Sequence, residues 1–292
     1  MIVLGVTVSA DLYNGWRRWL APDAQPFFVD SIRHWPKSTV GPSSLSAELR
    51  DTYRAWRVDR SLKTMWLDEA TFLDMSRSQR ATLVRAQVDH GRGAVPSVRR
   101  WSDVVDPATL RAQADGRRFV WWPSLVASNP QAILSRVVLA SPDGGAVDAL
   151  PSRHRDVARA TWDRCAAALP EAKRVAGSFP PASGPNCFGT VMAAAGVVGA
   201  GSDKMLQAPF LAWLDASCRP GGRDDDPGTV LVWRDRNRAP VHAAVTIGDG
   251  WALEKASGEW WTPRAVRNVA DVIRASRARG QRLERHRLCP LP

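Results

Sequence analysis

Cysteine, histidine and tyrosine are scarce in this chain, and the first two shortages narrow its chemistry. The four cysteines, at 165, 187, 218 and 289, show no metal-ligand spacing, and no metal or organic cofactor is implied. Five histidines, at 34, 90, 154, 242 and 286, are the whole supply of near-neutral acid–base groups. No apolar run is long enough to suggest a membrane span. Met1 to Ala10 is apolar but lacks a basic leader region, so it reads as a buried strand rather than a signal peptide. The expected compartment is cytoplasmic, which also keeps thiols reduced. Internal repeats and low-complexity linkers are absent from the sequence.

What the chain does have is arginine and tryptophan. Its net charge is +11, with a pI near 10.5. That balance would suit an anionic substrate, but the basic residues are spread out and form no nucleic-acid motif, which argues against nucleic acid as the main partner. The fourteen tryptophans are expected mainly in the core. At 292 residues the chain has room for one or two domains, and Pro142-Asp143-Gly144-Gly145 is the best boundary, dividing 1–142 from 143–292.

The most informative stretch is Ser183-Gly184-Pro185-Asn186-Cys187-Phe188-Gly189-Thr190, followed by the small apolar run Val191 to Val198. Asn186 is a good N-cap, and Val191, Met192, Ala195 and Val198 recur at helical spacing, so a buried helix is expected to begin near Cys187. A thiol in the first turn of a helix faces the positive end of its dipole and unpaired N–H groups, which favour thiolate and could hold an oxyanion.

Such a nucleophile needs a base, and His242 is the candidate. It opens the alternating strand Val241 to Ile247, which runs into Gly248-Asp249-Gly250 and a second strand, Trp251 to Lys255; this is a hairpin signal. A three-residue loop sets 244 opposite 254 and brings Glu254 to the face of His242, while a two-residue loop brings Lys255 and Ser257 there instead. The first register gathers Leu253 with the branched apolar residues and is preferred. The ring and the thiol are then expected within hydrogen-bonding reach, on one face of the sheet. A third strand is expected within Asp226 to Trp233.

A helix-borne cysteine, a strand-borne histidine and a polar residue on the next strand resemble the papain-like NlpC/P60 peptidases over residues 180–262. In that family the catalytic cysteine opens a helix, and the histidine begins a strand ending in a Gly-x-Gly turn. The resemblance implies an α+β fold with a papain-like NlpC/P60 core, a helix packed on an antiparallel sheet, here with an N-terminal α/β extension. It implies Cys187, His242 and Glu254 as the catalytic set of a cysteine peptidase or amidase working through an acyl-enzyme. Asn186, Phe188, Trp260 and Trp261 are candidate substrate contacts, the two tryptophans being alternatively a cover for the sheet edge. The expected partner is a small peptide or peptide-like amide, without membrane or metal. An acyl or peptidyl transferase using the same nucleophile, and an inactive basic binding module, are the alternatives.

Elsewhere the periodicity predicts helices over Ser46–Lys63, from a capping box at Ser76 to Asp89, from Asp106-Pro107, over Ser152–Leu169, over Phe210–Leu214 and over Pro263–Arg279. Phe119–Trp122 is a strand candidate, Gln131–Leu139 could be helix or strand, and Gln281–Leu288 reads as a final polar strand.

Overall fold

The structure is a computed structural model describing residues 1–33, 35, 41–114, 116–145 and 150–289, so His34 lies outside the described residues. The chain forms two compact units, Ser9–Ala149 and Met1–Val8 with Leu150–Pro292. The division thus falls a few residues after the expected one, and the first eight residues belong with the C-terminal unit. They form a hairpin, Ile2–Val3 against Val6–Thr7, rather than one strand, because Leu4 and Gly5 both take positive φ and turn the chain. Leu4 O accepts from Ser152 N at 2.8 Å.

In the Ser9–Ala149 unit the sequence showed no clear period before Pro36, yet Ser9 caps a helix over Ala10–Leu20 and a strand follows at Ala24–Val29. That strand pairs antiparallel with Lys63–Asp68. Its other edge is closed by the Gln87 amide, which bonds both Phe28 N and Phe28 O at 2.8 Å. The pairing is antiparallel, so this unit is α+β rather than the α/β extension expected. The helix predicted over Ser46–Lys63 stops at Thr52, because Arg54 takes a left-handed conformation. The Ser76 capping box forms as expected and starts the helix Arg77–Asp89. Asp106 caps Pro107–Gln113, and Pro130–Ala140 is helical. Phe119–Trp122 is buried but is not a strand. Trp16, Trp101, Trp121 and Trp122 are fully buried, which fits tryptophan as packing.

The other unit carries the six-stranded sheet that positions the candidate site. Its strands are β1 (Cys218–Pro220), β2 (Thr229–Arg234), β3 (Pro240–Gly248), β4 (Trp251–Lys255), β5 (Arg264–Asn268) and β6 (Arg282–Leu288). They lie in the order β1-β6-β2-β3-β4-β5, and every neighbouring pair is antiparallel. The helices are α1 (Arg159–Cys165), α2 (Ala172–Val175), α3 (Cys187–Ala194), α4 (Gln207–Ser217) and α5 (Val269–Ala275). Helix α3 packs on one face of the sheet, with Val191 among Val230, Val232, Ala243, Val245, Leu253 and Val266. Val269 and Val272 of α5 cover the other face, over Leu231, Trp233, Ala244 and Ala252.

Three expectations in this unit give way. Ser152 does not cap a helix: its hydroxyl accepts from Val266 N at 3.1 Å, and α1 starts only at Arg159. The apolar residues Val157, Thr161, Cys165 and Leu169 are nonetheless buried. The helix predicted from Pro263 is a strand followed by a shorter helix, β5 and then α5. Val198, read as part of the buried stripe after Cys187, is 98 % exposed beyond the end of α3.

Candidate active site

Cys187 is the first residue of α3, and Asn186 is its N-cap. The Asn186 side-chain oxygen accepts from Gly189 N at 3.0 Å, and its amide nitrogen donates to Met205 O at 2.7 Å. The cap takes the Gly189 N–H, while those of Cys187 and Phe188 belong to the first turn, whose N–H groups have no partner within the helix. Gly189 is required by close approach, since a Cβ there would fall on the Ala200 carbonyl oxygen. Gly189→Ala is expected to lower stability by about 1–3 kcal/mol, read from the urea midpoint; an unchanged midpoint would show that the loop at Ala200 can yield.

The β3–β4 register is the preferred one, with Ala244 opposite Glu254 and Val245 opposite Leu253. The turn achieves it differently from the expectation. Asp249 and Gly250 both take positive φ in a two-residue turn, and an irregularity between Thr246 and Gly248 absorbs the extra residue. Glu254 therefore comes to His242, whose Nε2 donates to Glu254 Oε2 at 3.2 Å, and Lys255 and Ser257 do not. Lys255 donates instead to Ser257 O at 2.5 Å and Glu259 O at 3.0 Å.

Glu254 is buried and holds a second cation. Arg267 Nη1 lies 3.2 Å from Glu254 Oε1, so the carboxylate is shared between an imidazole and a guanidinium. Sequence reasoning missed Arg267, because it read residues 264–268 as helix. The available signal was Asn268, a cap residue between a short alternating run and an apolar helical one. Trp233 was missed as well; it pairs across the sheet with His242, the rings 5.1 Å apart and 45° inclined.

The expectation of a shared face needs correction. Strand alternation puts His242 and Glu254 on the face with Trp233 and Ala244, while α3 packs on the opposite face. The Cys187 thiol and the His242 ring are nonetheless hydrogen-bond partners. Pairing of β3 with β4 begins only at Ala244, so His242 has a strand neighbour on the β2 side alone. Burial by itself would favour a neutral ring. Hydrogen bonds to Cys187 and Glu254, with the charge on each, outweigh it and raise the imidazole from 6.5 to about 9. Nε2 is engaged by Glu254, which leaves Nδ1 as the nitrogen for the thiol.

Comparison of the chain with models of protein families, with curated proteins and with solved structures finds no match.

The four candidate substrate contacts are built into the protein instead of facing a ligand. Both polar atoms of the Asn186 amide are occupied by the cap and by Met205. Phe188 is buried and stacked on Phe210, ring centroids 4.4 Å apart. Trp260 and Trp261 are buried edge-to-face against each other at 5.1 Å. Two of the other histidines have partners of their own: His154 bonds the Ser152 hydroxyl at 3.1 Å, and His286 lies 3.5 Å from Glu284. Asp224, one of three adjacent carboxylates, pairs with Arg285 at 2.8 Å.

Burial pushes the Cys165 and Cys218 thiols up to about 12. Iodoacetamide at neutral pH is therefore expected to modify Cys187 before Cys165, Cys218 or Cys289, and His242→Ala is expected to slow that reaction. Peptide mapping that finds any of the other three modified first would remove the nucleophile assignment.

Proposed function

We propose that the chain is a thiol-dependent amide-bond enzyme with a papain-like core, using Cys187, His242 and Glu254. The observation that carries this reading is that one imidazole is held between a thiol at a helix start and a buried carboxylate. In the reaction His242 takes the Cys187 thiol proton and the sulfur attacks the substrate carbonyl carbon, forming a C–S bond and a tetrahedral oxyanion. The Cys187 and Phe188 N–H groups at the start of α3 are the donors suited to that oxyanion. His242 gives its proton to the amine nitrogen as the C–N bond breaks, leaving a thioester. Water then adds to the thioester, His242 takes its proton, and the acid leaves as the C–S bond breaks. Glu254 keeps Nε2 protonated and stabilises the imidazolium, and Arg267 holds Glu254 in place.

The test is amine release from a panel of peptide-like amides. Release that disappears after iodoacetamide treatment supports the reading. Release that survives full alkylation of Cys187 overturns it.

A further inference from the structure

Arg264 is a buried cation with no carboxylate partner among the described residues. It is 8 % exposed, one of its terminal nitrogens donates to Gly201 O, and its Nε has no hydrogen-bond partner. Burial, and then the nearby Arg174, depress the guanidinium to about 10, so it stays charged at neutral pH at an energetic cost. It lines a cavity of about 560 Å³ together with Arg174, Ala193, Val198 and Ser202. Glu171 also lines this cavity, but its carboxylate is taken by Arg174. The remaining positive charge of the cavity is that of Arg264.

The cavity is separate from the candidate active site. Ala193 is six residues after Cys187 in α3, about 9 Å along the axis, and Cys187, His242 and Glu254 are not among the residues that line the cavity. The loop between Gly196 and Gly201 forms part of the wall. It carries Val198, a nearly fully exposed branched apolar side chain, which gives the mouth an apolar contact beside the charge. A buried, uncompensated guanidinium matches a carboxylate in charge and fork geometry.

We propose that this cavity binds a small organic carboxylate with an apolar body, its carboxylate on Arg264 and its apolar part against Val198. The site does not depend on the amide-bond reading.

Calorimetric titration of the full chain with N-acetylvaline, acetate and inorganic phosphate tests it. The expected result is saturable binding of N-acetylvaline, at least about tenfold tighter than acetate or phosphate. Arg264→Gln should weaken it about tenfold or more, and Cys187→Ala should leave it unchanged, which separates this site from the thiol. Should Arg264→Gln fail to fold, Arg174→Glu at the exposed mouth reverses charge without touching the core and should also weaken binding. Absence of saturation, equal affinity for acetate or phosphate, dependence on Cys187, or indifference to the arginine substitutions would overturn the proposal.

Discussion

Cys187→Ala is expected to lower amide or ester turnover by about 10³-fold or more while the protein stays folded. The substitution removes one sulfur from a site that is nearly buried but lies at a helix start, so the cap and the packing of Phe188 and Val191 remain. His242→Ala should cost a similar factor, because attack requires a base on the thiol and departure of the amine requires a proton. The double variant should be little worse than either single one, as groups that act as a unit are not additive. Turnover within a few-fold of the parent in Cys187→Ala would remove the thiol from the reaction. Full additivity in the double variant would mean that the two residues do not cooperate.

The second large effect belongs to Glu254, and it falls on both stability and pH dependence. Glu254→Ala leaves Arg267 buried without its carboxylate and is expected to cost about 3–5 kcal/mol of stability. Glu254→Gln keeps the shape and should retain part of the activity. The raised imidazole sets the pH behaviour. Its folded value, about 9, lies above the ordinary 6.5, so the stability it contributes is fully present below 6.5 and is lost as pH rises through 9. Turnover needs the imidazolium proton for the leaving amine, so activity should fall along an alkaline limb near pH 9. The groups facing the ring are Cys187, Glu254 and Trp233, with Arg267 behind Glu254. Removing the Glu254 charge should therefore move that limb to lower pH. A limb that stays in place in Glu254→Gln, with turnover unaffected in Glu254→Ala, would reduce the site to a Cys187–His242 pair.

The parts of this site that were legible in the sequence are those set by local chemistry. Asn186 before an apolar run announces a helix start, and the grouping of Leu253 with the branched apolar residues selects the register that sets Glu254 diagonal to His242, although through a turn of different length from the expected one. What local pattern did not reveal depends on tertiary packing. Val266, Val269, Val272 and Ile273 stand at spacings that a helix satisfies. The chain instead spends Arg264–Asn268 as an edge strand on β4, and this brings Arg267 to Glu254. Ser152 looks like a cap in sequence but is drawn into a hydrogen bond with Val266, more than a hundred residues away. The packing of α3 on the face of the sheet opposite His242 is set by tertiary structure, which no periodicity encodes. Aromatic residues near the site were offered as substrate contacts because aromatics line many pockets, yet Phe188, Trp260 and Trp261 are packed against other aromatic rings.

The central claim is that Cys187 carries an acyl group during turnover, and intact-protein mass spectrometry with peptide mapping tests it most directly. The protein is mixed with an activated peptide-like ester and quenched in acid within the first turnovers. The account predicts a mass increase of one acyl group, mapped to Cys187, absent in Cys187→Ala and formed more slowly in His242→Ala. An acyl group on any other residue, or turnover with no covalent adduct in either the parent or a variant slowed at deacylation, would contradict it.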